Sequence, residues 1–205
     1  MLSDIPITIQ KSKKIRTLSL SVTPTLEVIL KMPYSCSQAR ANAFLQEQEI
    51  WLKKTLLSMQ EKHLVLHNRL EKYRDKILVF DEIKNANDCT LTELKKTLRT
   101  YLEQELPLIA QKMQTSYASF SIRNNTKVLG SCSYNNRLSF ALLLICAKKE
   151  EINYVIVHEL AHTIHKNHSK DFWRCVETFC PNYKTLREKL KQNIVFYSKL
   201  LENLT

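Results

Sequence analysis

The chain has 205 residues and a formal charge of +11, enough length for one sizeable domain or for a small lobe beside a larger one. Its single glycine, Gly130, argues against glycine-rich phosphate loops, and six cysteines that never form C-x-x-C argue against a zinc ribbon. The longest apolar run, residues 140–147, is too short to cross a bilayer, so no membrane partner is expected. The first ten residues lack both a charged n-region and a long apolar stretch, which reads as no signal peptide and, with free thiols, as a cytoplasmic location.

Residues 1–35 read as a β-meander. Apolar and polar side chains alternate at Ile7 and Ile9, at Leu18, Leu20 and Val22, and at Leu26, Val28, Leu30 and Met32, with a turn at Thr23-Pro24-Thr25. A helix over 38–59 follows, with Phe44, Leu45, Trp51, Leu52 and Leu56 inward. Residues 61–73 begin helically and lead to a short apolar run at 77–80 and a polar loop. Thr90 and Glu93 form a capping box for a helix through Leu106, interrupted or kinked at Pro107, with Leu94, Leu98, Tyr101 and Leu102 on its core face. Residues 119–147 look like strands. Phe120 and Ile122 alternate, Gly130-Ser131-Cys132-Ser133 makes a turn-like break, and Leu138, Phe140, Leu142 and Leu144 alternate again.

The densest chemistry lies at 158–168, which holds four of the six histidines. His158-Glu159-Leu160-Ala161-His162 matches H-E-x-x-H. Over residues 150–165, Ile152, Ile156, Leu160 and Ile164 form one apolar stripe, and Glu150 and Glu151 in the first turn complement the helix dipole. Positions i and i+4 share a helix face, so His158 and His162 can grip one ion together, with Glu159 beside them to take a proton from a water on it. A catalytic zinc needs a third protein ligand. His165 shares the face, but its Cα lies about 10 Å along the axis from that of His158. His168 follows Asn167, a residue that tolerates the left-handed backbone ending many helices, and a turn there would bring His168 back. That geometry favours His168. Beyond it, Ser169 suits an N-cap for a helix carrying Phe172, Trp173, Val176 and Phe179 and ending before Pro181.

The charge concentrates at the ends: residues 1–35 and 181–205 each carry +3. Such ends can meet nucleic acid, ribosomes or an acidic protein, or can simply be solvated.

The order of meander, helices, G-S-C-S segment, strand, I-x-Y-V-I-V-H-E-L-A-H and downstream N-H-S-x-x-F-W resembles the YgjP-like zinc metallopeptidases, relatives of the SprT-like proteases. The residues that carry it are Gly130 to Ser133, Ile152, Tyr154, Val157, His158 to His162, Asn167 to Ser169, Phe172 and Trp173. The resemblance implies an α+β fold with a zincin-like catalytic domain and a bound Zn2+. It also implies His158, His162 and His168 as metal ligands and Glu159 as the catalytic glutamate. One departure stands out: Val128 and Leu129 occupy the places where the family usually has arginine and tryptophan.

The organisation expected is a meander over 1–35 packed on a helical and zincin-like region over 36–205, as one unit. The activity expected is hydrolysis of peptide bonds in peptide or protein substrates. Tyr154, His165 and Arg137 are candidates to stabilise the oxyanion. The strand over 136–145, with Asn136, Leu138 and Phe140, is the candidate edge for an extended substrate. The rival readings are a basic nucleic-acid- or ribosome-associated protein with a structural zinc, and a protease recruited to DNA. Glu159 separates the first rival from an enzyme, since a structural zinc site has no need of a carboxylate beside its histidine.

Overall fold

The computed structural model describes residues 5–204 and is a mixed α and β protein with six α-helices and three small sheets. It forms two compact units, Met1–Arg69 and Leu70–Thr205. The division thus falls well after the boundary expected at residue 35. The reason is local: the first sheet closes its core with the helix that follows it. Leu30 and Met32 bury completely with Ala41, and Phe44 and Leu45 pack on them.

In the first unit, β1 (Ile7–Ser12), β2 (Ser19–Val22) and β3 (Val28–Pro33) form a sheet in the order β1-β3-β2. The expected meander is therefore corrected. β1 runs parallel to β3, and only β2 is antiparallel to it. Alternation identified the strands but not their order. Val28, Leu30 and Met32 of β3 are all buried, whereas β1 and β2 are largely exposed, so the most apolar strand takes the centre. The turn at Thr23 forms as read, with Leu26 donating its N–H to the Thr23 carbonyl at 2.9 Å. The single helix expected over 38–59 is two: α1 (Gln38–Glu47), capped by Ser37, and α2 (Glu49–Glu71). Leu52 is buried, but Trp51, one residue and 100° around the helix, is exposed.

The second unit begins with a hairpin that the sequence concealed, β4 (Lys76–Val79) with β5 (Glu82–Asn85). Every residue of β5 is exposed, so it has no alternation to read. Its two-residue turn, Phe80-Asp81, has positive φ at both positions without asparagine or glycine to announce it. Then comes α3 (Leu91–Lys112), opened by the Thr90–Glu93 capping box. It runs through Pro107 rather than stopping there. Leu106 and Ala110 are both buried, and packing of the last turn outweighs the missing proline N–H.

β6 (Ser119–Arg123), β7 (Gly130–Cys132) and β8 (Arg137–Ala141) form the third sheet in the order β6-β8-β7. Gly130 to Cys132, expected in a turn, are thus a strand; the turn lies at Ser133–Asn136, where Asn136 has φ 55°. The strand expected to reach residue 145 ends at Ala141 and becomes a wholly buried 3-10 helix, Leu142–Cys146. α4 (Lys149–Ile164), α5 (Lys170–Phe179) and α6 (Tyr183–Glu202) complete the unit. α4 is the central element and packs on α3, α5, α6 and β7. Ile152, Ile156 and Leu160 of its stripe are fully buried, while Ile164 at the helix end is exposed. No helix among the described residues is long and apolar enough to cross a membrane.

Two substitutions test this core. Leu102→Ala, at a fully buried position, should cost about 2–5 kcal/mol, and Thr90→Ala, which removes one cap, about 1 kcal/mol. Denaturant unfolding of the full chain measures both; equal costs would contradict the packing described.

Candidate metal centre

α4 presents His158 and His162 one turn apart, and the chain after it brings His168 to them. One nitrogen of each of the three imidazoles falls within a sphere where all lie within 4.8 Å of one another. His158 Nε2 and His168 Nε2 are 3.2 Å apart. A tetrahedral zinc with Zn–N bonds of about 2.0–2.1 Å has edges of about 3.3 Å, so this separation fits two corners of such a site. The return of the chain differs in detail from the expectation. Asn167 is not left-handed. Instead α4 ends at His165 in extended conformation (φ −123°, ψ 107°), and Asn167 Oδ1 accepts the Ser169 N–H at 3.2 Å. Ser169 then caps α5 by accepting the Phe172 N–H.

Second contacts orient the rings. His162 Nδ1 lies 3.1 Å from the His165 carbonyl oxygen. A carbonyl only accepts, so Nδ1 donates and Nε2 keeps its lone pair for a metal. His165 enters through this backbone oxygen, and its ring is not among the converging groups. Phe172 packs against all three imidazoles, with ring centroids 5.0, 4.4 and 4.8 Å from His158, His162 and His168. Trp173 stacks on His168 at 5.6 Å. Lys166 donates to Asn136 Oδ1 at 2.6 Å and so ties the loop that carries His168 to the β7–β8 turn. Phe172, Trp173 and Lys166 were not singled out by the sequence as parts of the site.

Electrostatics suit a cation. Burial, reinforced by the neighbouring histidines, holds His158 down to about 3, and burial likewise lowers His162. Both are neutral near pH 7, the form that donates a lone pair to a metal. Glu159 is 4% exposed, and burial pushes its carboxyl up to about 8. Its Oε2 is buried with no hydrogen-bond partner, and so is His158 Nδ1. An unpaired buried carboxylate oxygen is costly, and a cation beside it would offset that cost.

The one glycine is explained here. A Cβ on Gly130 would stand 2.6 Å from Glu159 Oε1 and 2.7 Å from its Cγ. Gly130 has no positive φ, so the requirement is space for the carboxylate rather than backbone freedom.

A cleft of about 750 Å³ opens over the site, lined among others by Val128, Leu129, Gly130, Tyr154, His158, Glu159 and His168. Tyr154 is buried one helical turn before His158, and burial pushes its hydroxyl up to about 12, so it remains a donor. Arg137 does not join it. Side chains alternate across a strand, and Arg137 shares the face of Ser139 and Ser131, opposite Gly130 and Phe140; it lines a separate groove. The proposed substrate edge also moves. β8, with Leu138 and Phe140 and preceded by Asn136, is the central strand, paired on both sides, so it offers no free edge. The edge beside Glu159 is β7. Ala141 N–H bonds to the Leu129 carbonyl and Ser133 N–H to the Arg137 carbonyl. By antiparallel alternation, the main-chain groups of Gly130 and Cys132 therefore point outward.

Residues 71–193 match the YgjP-like metallopeptidase domain. The chain belongs to the YgjP-like family. The matched region spans more than half of the chain and contains every residue of the centre. As for a metallopeptidase in general, the family implies peptide or protein substrates. No curated protein matches the chain. Among solved structures, the metallopeptidase zymogen of Pyrococcus abyssi abylysin is similar at 23% identity and a TM-score of 0.40, covering 43% of this chain and 90% of its own.

Two measurements probe the centre. Zinc content after dialysis should fall to near background in His168→Ala and stay close to wild type in His165→Ala, which keeps its backbone carbonyl; the reverse ranking would refute the arrangement. Gly130→Ala should cost about 1–3 kcal/mol through overpacking, and most of that cost should vanish in a Glu159→Ala background. Additive costs in denaturant unfolding would show that the two residues do not compete for space.

Proposed function

We propose that this YgjP-like chain is a zinc-dependent peptidase with a zincin-like catalytic region, in which His158, His162 and His168 hold the ion and Glu159 is the general base. The observation that carries the reading is the unpaired, buried Glu159 carboxylate beside three converging imidazole nitrogens. A structural site has no use for such a group. When bound, the zinc supplies a Lewis acid that acidifies water and polarises the scissile carbonyl.

The protein's own residues do the rest. Glu159 Oε2 takes the proton of the attacking water and returns it to the leaving amine nitrogen. Gly130 leaves Glu159 room to do so, since a Cβ at that position would stand 2.6 Å from Glu159 Oε1. Tyr154 stays protonated and donates its O–H to the developing oxyanion. The outward main-chain groups of Gly130 and Cys132 pair with an extended substrate along β7, which lays its backbone across the cleft. His165, through its carbonyl, keeps His162 in the tautomer that binds metal.

Glu159→Gln keeps size and helix propensity while removing the proton acceptor. Zinc content and thermal stability should stay near wild type, and peptide hydrolysis should fall by about two to four orders of magnitude. Unchanged hydrolysis with zinc retained would remove Glu159 as the base. Loss of zinc together with unfolding would make it a structural partner instead.

A further inference from the structure

Arg187, Leu190, Lys191 and Ile194 of α6 line part of the cleft, and the motif chemistry leaves the basic residues of this helix unused. Arg187 and Lys191 from α6 and Lys127 from the loop before β7 line the cleft, and Glu159 is its one acidic lining residue. Lys191 lies 4.0 Å from Glu188, an exposed pair worth little. Among the described residues no carboxylate pairs with Arg187 or Lys127. The Arg187 guanidinium instead sits over the Trp173 ring at 5.0 Å. Trp173 stacks on Tyr183 on one hand and on His168 on the other, at 5.3 and 5.6 Å. A guanidinium that rests on an aromatic ring still carries its N–H donors around its rim, arranged as a fork that matches a carboxylate. It also gains positional stiffness from the ring that orients a metal-binding histidine.

We infer that Arg187, supported by Lys127 and Lys191, holds a substrate carboxylate, so that the cleft selects peptides with an acidic group close to the bond aligned with His158, His162 and His168. This rests on reading the cleft as a peptide site. The carboxylate is an Asp or Glu side chain or a free C-terminus; the chemistry is the same. Two ring contacts separate the guanidinium from His168, so the acidic group lies within roughly three extended residues, about 3.5 Å each, of the reacting position. A charge-assisted, forked hydrogen bond in a partly desolvated cleft is strong enough to select for it.

The test uses the zinc-loaded full chain carrying Glu159→Gln, with the metal-free wild-type chain as a second format should that variant fold poorly. The probes are fluorescent alanine hexapeptides with amidated C-termini carrying one Glu or one Gln, and the all-alanine peptide with a free or amidated C-terminus. At low ionic strength at least one carboxylate-bearing peptide should bind about tenfold or more tighter than its neutral twin. Whether the Glu or the free C-terminus gives the advantage identifies the source. Arg187→Met, which keeps the stem over Trp173, should abolish the advantage, and Arg187→Lys should retain part of it. Equal binding of charged and neutral peptides, no binding of any, or a preference that survives Arg187→Met would overturn the inference. So would a short single-stranded oligonucleotide that binds tighter than every peptide with the same dependence on Arg187. Cleavage by wild-type protein separates the two readings. Peptides cut without acidic preference leave the peptidase and remove the carboxylate site. Peptides bound by charge through Arg187 but never cut do the opposite.

Discussion

The second unit depends on burying the Glu159 carboxyl group next to His158, one of three imidazoles whose ligand nitrogens converge within 4.8 Å of one another. A polar atom is costly to bury without a partner, and Glu159 Oε2 and His158 Nδ1 are buried with none. What supports them is the packing of α4. Its Ile152, Ile156 and Leu160 stripe is fully buried, and α3, α5, α6 and β7 pack around it. The helix is stable enough through its apolar face to carry unfavourable chemistry on the other.

Around that helix the supporting contacts divide by task. Gly130 makes space for Glu159; Phe172 supplies a common apolar wall for three rings; the His165 carbonyl selects the tautomer of His162. Lys166 links the loop that bears His168 to the turn of the sheet whose edge strand faces the cleft. The site on the helix and the edge on the sheet are thereby fixed to each other. A site whose distances must hold to a fraction of an ångström requires such bracing.

The candidate site was more legible than the fold. H-E-x-x-H reads directly because helical periodicity converts its spacing into geometry, and the reach of one helix favours His168 over the His165 ring as third ligand. The route by which His168 returns was not legible: an extended residue and an asparagine side-chain bond do the work assigned to a left-handed Asn167. Gly130 stands out as the single glycine, but a glycine needed for a neighbour's side chain leaves no local signature. Strand order failed for a related reason. Alternation shows which face of a strand is buried and is silent on its partners, so it does not reveal that β3 divides β1 from β2. The β5 strand, exposed throughout and joined by Phe80-Asp81, had neither alternation nor turn residues. α6 had a readable pattern in Tyr183, Leu186, Leu190, Tyr197 and Leu201, all buried, but its basic surface drew attention to charge instead.

The central claim is that one ion is held by the three histidines with a position left open beside Glu159. X-ray absorption at the zinc edge of the metal-loaded protein tests it most directly. The account predicts three imidazole nitrogens and one oxygen donor, all at about 2.0–2.2 Å. Sulfur scatterers at about 2.3 Å, or a fourth imidazole closing the coordination, would contradict it.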